Sequence, residues 1–313
     1  MKLKKNTMNK ILTSPSSFGK ISSEPFDILN KNEYTIINNP YGRKLTEEEV
    51  IDLAYDCVGI VAGVEPLTKK VMDALPKLKC ISRVGIGMDS VDLDYAIKRG
   101  VKVVNTPDGP TRAVAEMTVA LTFSLLRKIP QADANIKNGI WKKETGNFLY
   151  GKTIGVIGLG RIGKMVSEMF SNFGNKVIGY DINIDSLWAE NNKITIQKNL
   201  NKLIQSSDIL TLHVPPNKDN SYVIGKDELN LIKETAFLIN ASRGGVIDEV
   251  FLFELLSKNK IRGAAIDVFS EEPYSGPLTS LKNVILTPHL GSYAAEGKLK
   301  MEIDAVNNLL NNL

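Results

Sequence analysis

The sequence predicts an α/β protein made of two doubly wound units with parallel sheets, the second inserted in the first. Three observations predict it. Short β-type runs alternate with helical stretches along most of the chain, and that alternation implies parallel sheets. The 313 residues are more than one core usually takes, so two domains are expected. A glycine-rich turn, Gly158–Gly163, sits between an apolar run and an amphipathic stretch and restarts the pattern in mid-chain. The expected boundaries are 1–108 with 290–313 for the first domain and 109–289 for the second.

In the first domain the strand candidates are Tyr34–Ile37, Val58–Val61, Cys80–Val84 and Val101–Val104. The near-continuous apolar character of Val101-Lys102-Val103-Val104 fits burial on both faces of a sheet. Between the strands, Thr46–Ala54 reads as a helix with Thr46 and Glu49 forming a capping box. Thr68–Leu75 and Val91–Arg99 read as helices too, the latter ended by Gly100. A long helix is expected from about Arg112 to Arg127, stopping before Pro130. Its apolar residues Val114, Met117, Leu121 and Leu125 suggest packing between domains or subunits.

The second domain repeats the pattern. Its strands are expected at Thr153–Ile157, Lys176–Tyr180, Ile209–His213, Ala236–Asn240, Gly263–Val268 and Val284–Leu286. After the glycine turn, Ile162, Met165, Val166, Met169, Phe170 and Phe173 mark one helical face. Further helices are expected at Asp227–Ile232 and Val250–Asn259. The tail from Ala294 to Leu313 reads as helical and is expected to return to the first domain, which makes that domain discontinuous.

Composition excludes several classes. Apolar residues make up 43% and charged residues 24%, an ordinary balance for a globular protein. The formal charge of +4 is modest and the lysines are scattered, which points to a solvated surface rather than nucleic-acid binding. Lys2, Lys4, Lys5 and Lys10 are not followed by the apolar stretch of a signal peptide, because Thr13-Ser14-Pro15-Ser16-Ser17 interrupts. No run approaches the ~20 apolar residues of a membrane span. Cys57 and Cys80 lie among apolar residues with no metal-binding spacing, so buried free thiols, no metal and a cytoplasmic location are expected.

The turn itself carries chemistry. Gly158 permits a tight strand-to-helix turn, Gly160 lets backbone approach a pyrophosphate, and Gly163 lets the helix pack close to the strand. Arg161 and Ile162 open a helix whose N-terminus offers free N–H groups and a positive dipole end. Asp181 closes the next strand, eighteen residues after Gly163, where a carboxylate can accept both ribose hydroxyls. Together these residues imply a Rossmann unit. Asp181 would repel a 2′-phosphate and Ile182-Asn183-Ile184 supply no cation, so NAD is expected rather than NADP.

Hydride transfer to or from an acid needs a cation, a proton carrier and a group that orients the carrier. Three residues stand just past strands: Arg243 in Asn240-Ala241-Ser242-Arg243-Gly244-Gly245, Glu272 in Asp267-Val268-Phe269-Ser270-Glu271-Glu272-Pro273, and His289 in Thr287-Pro288-His289-Leu290-Gly291. In open parallel sheets ligands bind outside the carboxyl ends of strands, where all three fall. His213 is the other of only two histidines and also ends a strand, so it competes for the proton-carrier role; Glu271 competes with Glu272.

From about Leu75 onward the chain resembles the D-isomer-specific 2-hydroxyacid dehydrogenase family, and within it the D-3-phosphoglycerate dehydrogenase branch. The resemblance rests on Cys80-Ile81-Ser82-Arg83-Val84-Gly85-Ile86-Gly87-Met88-Asp89, on Val114-Ala115-Glu116, on the glycine turn with Asp181, and on Arg243, Asp267, Glu272 and His289. It implies a Rossmann NAD-binding domain inserted in a flavodoxin-like substrate domain. It also implies an oxidoreductase acting on a D-2-hydroxy acid or 2-keto acid, with 3-phospho-D-glycerate, and so serine biosynthesis, first in line. Hydroxypyruvate, glyoxylate or a phosphonate analogue are alternatives, as is a non-catalytic NAD-sensing corepressor. Arg243 would clamp the substrate carboxylate, His289 would carry the proton, and Glu272, immediately before the proline, would orient His289. Asp267 would hold the nicotinamide carboxamide, and backbone at Val214, Ala241 and Ser242 would line the cofactor site. A homodimer through Arg112–Lys128 and the stretch at Ile140-Trp141 is implied, as is a short form without a C-terminal regulatory domain.

One stretch departs from the family. Where the phosphoglycerate branch carries Arg-Ser after the strand matching Val58–Val61, this chain has Ala62-Gly63-Val64-Glu65. Backbone N–H at Gly63, with Arg83 and Gly85, is then expected to hold the substrate's acid group alongside Arg243 and His289, with Lys69 and Lys70 as further sources of positive charge.

Overall fold

The computed structural model describes residues 9–219 and 221–313, so Lys2, Lys4 and Lys5 lie outside the described residues. The chain divides into two compact units. One runs to Pro110 and resumes over Ser292–Leu313; the other is Thr111–Gly291.

The first unit is a five-stranded parallel sheet in the order β2-β1-β3-β4-β5. Its strands are β1 (Lys10–Thr13), β2 (Thr35–Asn38), β3 (Cys57–Ala62), β4 (Cys80–Arg83) and β5 (Lys102–Asn105). Adjacent residues in a strand point to opposite faces, and both faces here are buried. Leu12, Ile60 and Ile81 join one apolar cluster, while their neighbours Ile11, Val61 and Cys80 join another. Helices α1 (Glu24–Lys31), α2 (Glu47–Ala54), α3 (Lys69–Ala74) and α4 (Leu93–Arg99) connect the strands. The capping box closes α2 as expected, the Thr46 hydroxyl accepting from Glu49 N and the Glu49 carboxylate from Thr46 N. The C-terminal helix, Ala295–Leu310, lies on β3, β4 and β5 and supplies Ala305, Val306 and Leu309 to the second cluster.

Sequence pattern alone missed β1 and α1. Four residues make β1, and the stretch that reads as an interruption, Thr13-Ser14-Pro15-Ser16-Ser17, holds the last residue of that strand and the start of the turn that follows it. Elsewhere in this unit the strands shift by about a residue, so that β5 starts at Lys102 rather than Val101. The order places β1 beside β3, and the chain winds away from that point in both directions. Such a switch point is where the carboxyl ends of strands leave a crevice.

In the second unit α5 (Asp108–Arg127) leads into the segment, and its Ala115, Leu121, Leu125 and Leu126 join that unit's own core. The long helix ends at Arg127, before Pro130, as expected, but a second helix follows at once. Lys128, at φ 54°, breaks the axis, and α6 (Ile129–Lys137) begins with Pro130 in its first turn, where a missing N–H costs nothing. Seven parallel strands follow in the order β12-β11-β10-β9-β6-β7-β8. They are β6 (Thr153–Ile157), β7 (Lys176–Tyr180), β8 (Thr195–Ile196), β9 (Ile209–Leu212), β10 (Phe237–Asn240), β11 (Gly263–Ile266) and β12 (Val284–Leu286). The helices between them are α7 (Arg161–Asn172), α8 (Ser186–Asn191), α9 (Leu200–Ser206), α10 (Lys226–Leu229) and α11 (Glu249–Ser257). The short elements α8, β8 and α9 carry too little periodicity to be read from sequence. Counted from β8, the first six strands have the doubly wound Rossmann order, with its switch point between β6 and β9.

Candidate active site

The glycine turn stands at the switch point of the second unit. Gly158 donates its N–H to Tyr180 O at 2.8 Å and sits at φ 90°, a conformation that favours glycine. A Cβ there would strike the carbonyl oxygen of His213. A Cβ on Gly163 would overlap the carbonyl oxygen of Gly158, so only glycine lets α7 approach the turn. Gly160 is the contrast: a Cβ there meets nothing within 4 Å. The turn is therefore tight on the protein side and open in front of the first N–H groups of α7, where Arg161 is exposed and Ile162 turns into the core. An anionic pyrophosphate fits that combination of space and donors. Val214 borders Gly158, its Cγ1 2.7 Å from the same Cβ position.

Asp181 is held in place by the turn it serves. Its Oδ2 accepts Leu159 N–H at 2.6 Å and its Oδ1 accepts Asn183 N–H at 2.7 Å. Each oxygen keeps a further lone pair for a ribose hydroxyl. His213, just past β9 on the other side of β6, shares Nε2 with the Thr211 hydroxyl at 3.0 Å, and its Nδ1 is shut away from solvent without a hydrogen-bond partner. Burial pushes this imidazole down to about 3. It stays neutral across the range in which a proton carrier must work, so His213 is not suited to that task.

Arg243, Glu272 and His289 follow β10, β11 and β12, three neighbouring strands of the same sheet. The Arg243 loop is stapled by Asn240, which is almost fully buried. Its Oδ1 accepts Ser242 N–H at 3.1 Å and Ser242 Oγ–H at 2.7 Å, while its Nδ2 donates to Arg243 O at 3.0 Å. A Cβ on Gly244 would overlap the Phe269 carbonyl, so the loop is pressed on the chain that leaves β11. Ala241 is buried and Ser242 half-buried on that loop. The Arg243 guanidinium, also half-buried, donates from Nη1 to Ser242 O at 2.8 Å.

The carboxylate that meets His289 belongs to Glu272. His289 Nδ1 lies 3.0 Å from Oε2 and 3.2 Å from Oε1, and Oε1 also accepts Phe269 N–H at 3.1 Å. A carboxylate facing Nδ1 accepts a hydrogen bond from the Nδ1–H, which fixes the tautomer and leaves Nε2 unprotonated as the acceptor. Asp267 is wholly buried, and its carboxylate accepts from Thr287 Oγ1 at 2.5 Å, Leu290 N at 2.8 Å and Gly291 N at 2.8 Å. Neither the Asn240 staple nor these Asp267 bonds was read from sequence. The polar residue closing each of two apolar strands was the available signal, since such residues must find partners when buried.

Gly63, Arg83 and Gly85 belong to the first unit. Gly63 does not hold its N–H ready for a substrate anion. That group lies 3.0 Å from Ser14 Oγ and 2.9 Å from Glu65 Oε1, and the Ser14 hydroxyl also donates to Glu65 Oε1. Glu65 is 2% exposed, so an internal carboxylate occupies the donors beside the β1–β3 switch point. Arg83 ends β4 with Nη1 donating to Val84 O. Gly85, at φ 126°, donates its N–H to Thr106 Oγ1 at 2.7 Å. Lys70 pairs with Glu47 and Glu48, and Lys69 sits over the Tyr95 ring, so both lysines are engaged on the surface of their own unit.

Residues 119–291 match the family model for the D-isomer specific 2-hydroxyacid dehydrogenase, NAD binding domain. A D-3-phosphoglycerate dehydrogenase of Methanocaldococcus jannaschii is 43% identical over 258 residues, which cover 81% of this chain and 49% of the relative. A glyoxylate reductase of Thermofilum pendens is 40% identical over 256 residues, covering 79% of this chain and 75% of the relative. The chain thus spans about half the length of the curated phosphoglycerate dehydrogenases it matches. Among solved structures, the TT0316 protein from Thermus thermophilus superposes with a TM-score of 0.89 at 30% identity, covering 96% of each chain.

Proposed function

The chain belongs to the D-isomer specific 2-hydroxyacid dehydrogenase family, and from that premise we propose that it interconverts a D-2-hydroxy acid and its 2-keto acid with NAD. The observation that carries this reading is the His289–Glu272 pair at 3.0 Å on strand ends next to the Arg243 loop.

Bound NAD would take the C2 hydride during oxidation and return it during reduction. Arg243 presents a planar fork of donors that suits a substrate carboxylate and the adjoining C2 oxygen. In oxidation, His289 Nε2 accepts the hydroxyl proton as the C2–O bond becomes a carbonyl. Its Nδ1–H stays on Glu272, whose negative charge stabilises the imidazolium formed. In reduction the same nitrogen returns the proton to the oxygen. Imidazole is the side chain suited to moving a proton both ways near neutral pH.

The relatives named D-3-phosphoglycerate dehydrogenase support 3-phospho-D-glycerate as the substrate. A second reading, a small unphosphorylated 2-keto acid, is favoured by one observation: Glu65 and Ser14 take up the Gly63 N–H where the phosphoglycerate branch carries Arg-Ser. A homodimer fits the apolar surface that α6 and the following stretch leave uncovered, with Trp141 and Phe148 each 84% exposed. The unpaired thiols of Cys57 and Cys80 fit a reducing, cytoplasmic compartment. No helix among the described residues is long and apolar enough to cross a membrane.

The test is NADH consumption with 3-phosphohydroxypyruvate, hydroxypyruvate, glyoxylate and pyruvate as a panel. Turnover confined to the phosphorylated acid supports the first reading, and preference for an unphosphorylated acid supports the second. Tight NADH binding with no turnover on any 2-keto acid would overturn both.

A further inference from the structure

We propose that Asp267 is a positioning residue for His289: its buried carboxylate holds the loop that carries the imidazole in a left-handed turn. It thereby acts on the reaction through that ring. The proposal rests on the reading of His289 as the proton carrier.

Backbone conformation gives the first argument. Five non-glycine residues among those described have positive φ: Glu33, Lys128, Lys193, Asn259 and His289. The first four stand at the ends of α1, α5, α8 and α11, where a left-handed residue is the ordinary way to close a helix. His289, at φ 55°, follows a strand instead. A side chain in that region is unfavourable by itself and persists only where surrounding contacts enforce it. Glycine would adopt the turn without cost, but glycine has no imidazole.

The contacts that enforce it converge on one residue. His289 N donates to the main-chain oxygen of Asp267 at 2.8 Å. The next two amides, Leu290 N and Gly291 N, donate to Asp267 Oδ1 and Oδ2 at 2.8 Å each. Thr287 Oγ1 donates to Oδ1 at 2.5 Å from the other side of the histidine. Asp267 is anchored in turn, its own N–H donating to Asn240 O at 2.9 Å. Successive N–H groups turned toward one anion need the reversed backbone twist that His289 supplies. A Cβ on Gly291 would stand 3.1 Å from Asp267 Oδ2 and 3.3 Å from a Val114 methyl, so the loop has little slack.

Chemistry separates this role from a contact with the nicotinamide carboxamide. A carboxylate offers about four acceptor positions, and three are filled from within the loop. Asparagine has nearly the same shape but only one acceptor oxygen. In Asp267→Asn an amide N–H₂ would face a backbone N–H, and the turn would lose one of its two anchors.

The test is a double-mutant cycle on the full chain, using Asp267→Asn, His289→Asn and the double variant. The readouts are kcat and KM for the best 2-keto acid of the panel, and Kd for NADH. The expected result is a loss of roughly 10²-fold in kcat for Asp267→Asn, the scale of a small misplacement of a reacting group. NADH Kd should stay within about threefold of wild type, and the double variant should be no slower than His289→Asn to within about threefold. Losses that multiply in the double variant, or NADH affinity that falls as far as kcat, would overturn the proposal and leave Asp267 as a cofactor contact. Should Asp267→Asn fail to fold, Thr287→Val removes one clamp donor. A smaller kcat loss that vanishes on a His289→Asn background supports the clamp, and unchanged kcat refutes it. Failure of the underlying reading looks different: the wild-type chain would bind NADH and turn over no 2-keto acid.

Discussion

Replacing His213 by glutamine should remove an acid-side weakness of the second unit. In the folded chain burial holds this imidazole at about 3 against an ordinary 6.5. As pH falls through 6.5, the unfolded chain gains a proton on His213 that the folded chain cannot take. Stability is therefore intact above pH 6.5 and is lost progressively down to about pH 3. The full displacement corresponds to about 5 kcal/mol, of which about 2 kcal/mol is spent by about pH 5. Glu302 works in the opposite sense: burial raises its carboxyl, so its contribution grows as pH falls and is lost as pH rises. Comparing wild type with His213→Gln cancels that contribution and leaves the histidine alone. The assay is urea unfolding of both proteins at about pH 7.5 and about pH 5, with wild type expected to lose about 2 kcal/mol more than the variant. Equal losses would mean that the ring takes up protons freely in the folded state, and that its desolvation beside the glycine turn is wrong.

Arg243→Ala should raise KM for the keto acid and lower kcat while leaving NADH quenching near normal; collapse of NADH binding would make the residue structural. Asn240→Ala frees the Ser242 and Arg243 backbone from their staple, at about 1–3 kcal/mol of stability for each buried group left unpaired. It should raise KM in the same direction as Arg243→Ala, and unchanged kinetics in a destabilised variant would separate Asn240 from substrate binding. Gly163→Ala drives a methyl onto the Gly158 carbonyl and should abolish NADH binding, as measured by calorimetry; retained affinity would show that α7 can shift without harm. Asp181→Ala should narrow the preference for NAD over NADP, and a preference left intact would mean the ribose is read elsewhere.

Much of this was legible because periodicity and turn chemistry act locally. The run Thr153–Ile157, the glycines after it and Asp181 each declare their role within a few residues, and the capping box at Thr46 does the same. Arg243, Glu272 and His289 each stand just past an apolar strand, but position alone left His213 and Glu271 in competition, and the resemblance to the family singled out the three. Three kinds of feature could not be read. Elements as short as β1 and β8 carry too little pattern, and α6 went unread because its Pro130 is tolerated only by falling in a first helical turn. Long-range polar pairings were also hidden. Ser14 and Glu65 are fifty-one residues apart, a separation that no local pattern bridges. That pairing overturned the expectation that Gly63 offers a free N–H.

The C-terminal helix closes one face of the first unit only after the chain has threaded through all of Thr111–Gly291. On a ribosome, therefore, β1 and β3–β5 are complete long before the last part of their cover exists. Ile11, Val61 and Cys80 have Phe18 and Leu29 beside them from the start but wait for Ala305, Val306 and Leu309 while another whole unit is made, and long-range closures of this kind are slow and prone to aggregation. The order of synthesis thus makes the first unit the last to finish, although it is the first to begin. Chaperone demand, and the tolerance of this chain to truncation, should follow that order rather than the order of the sequence.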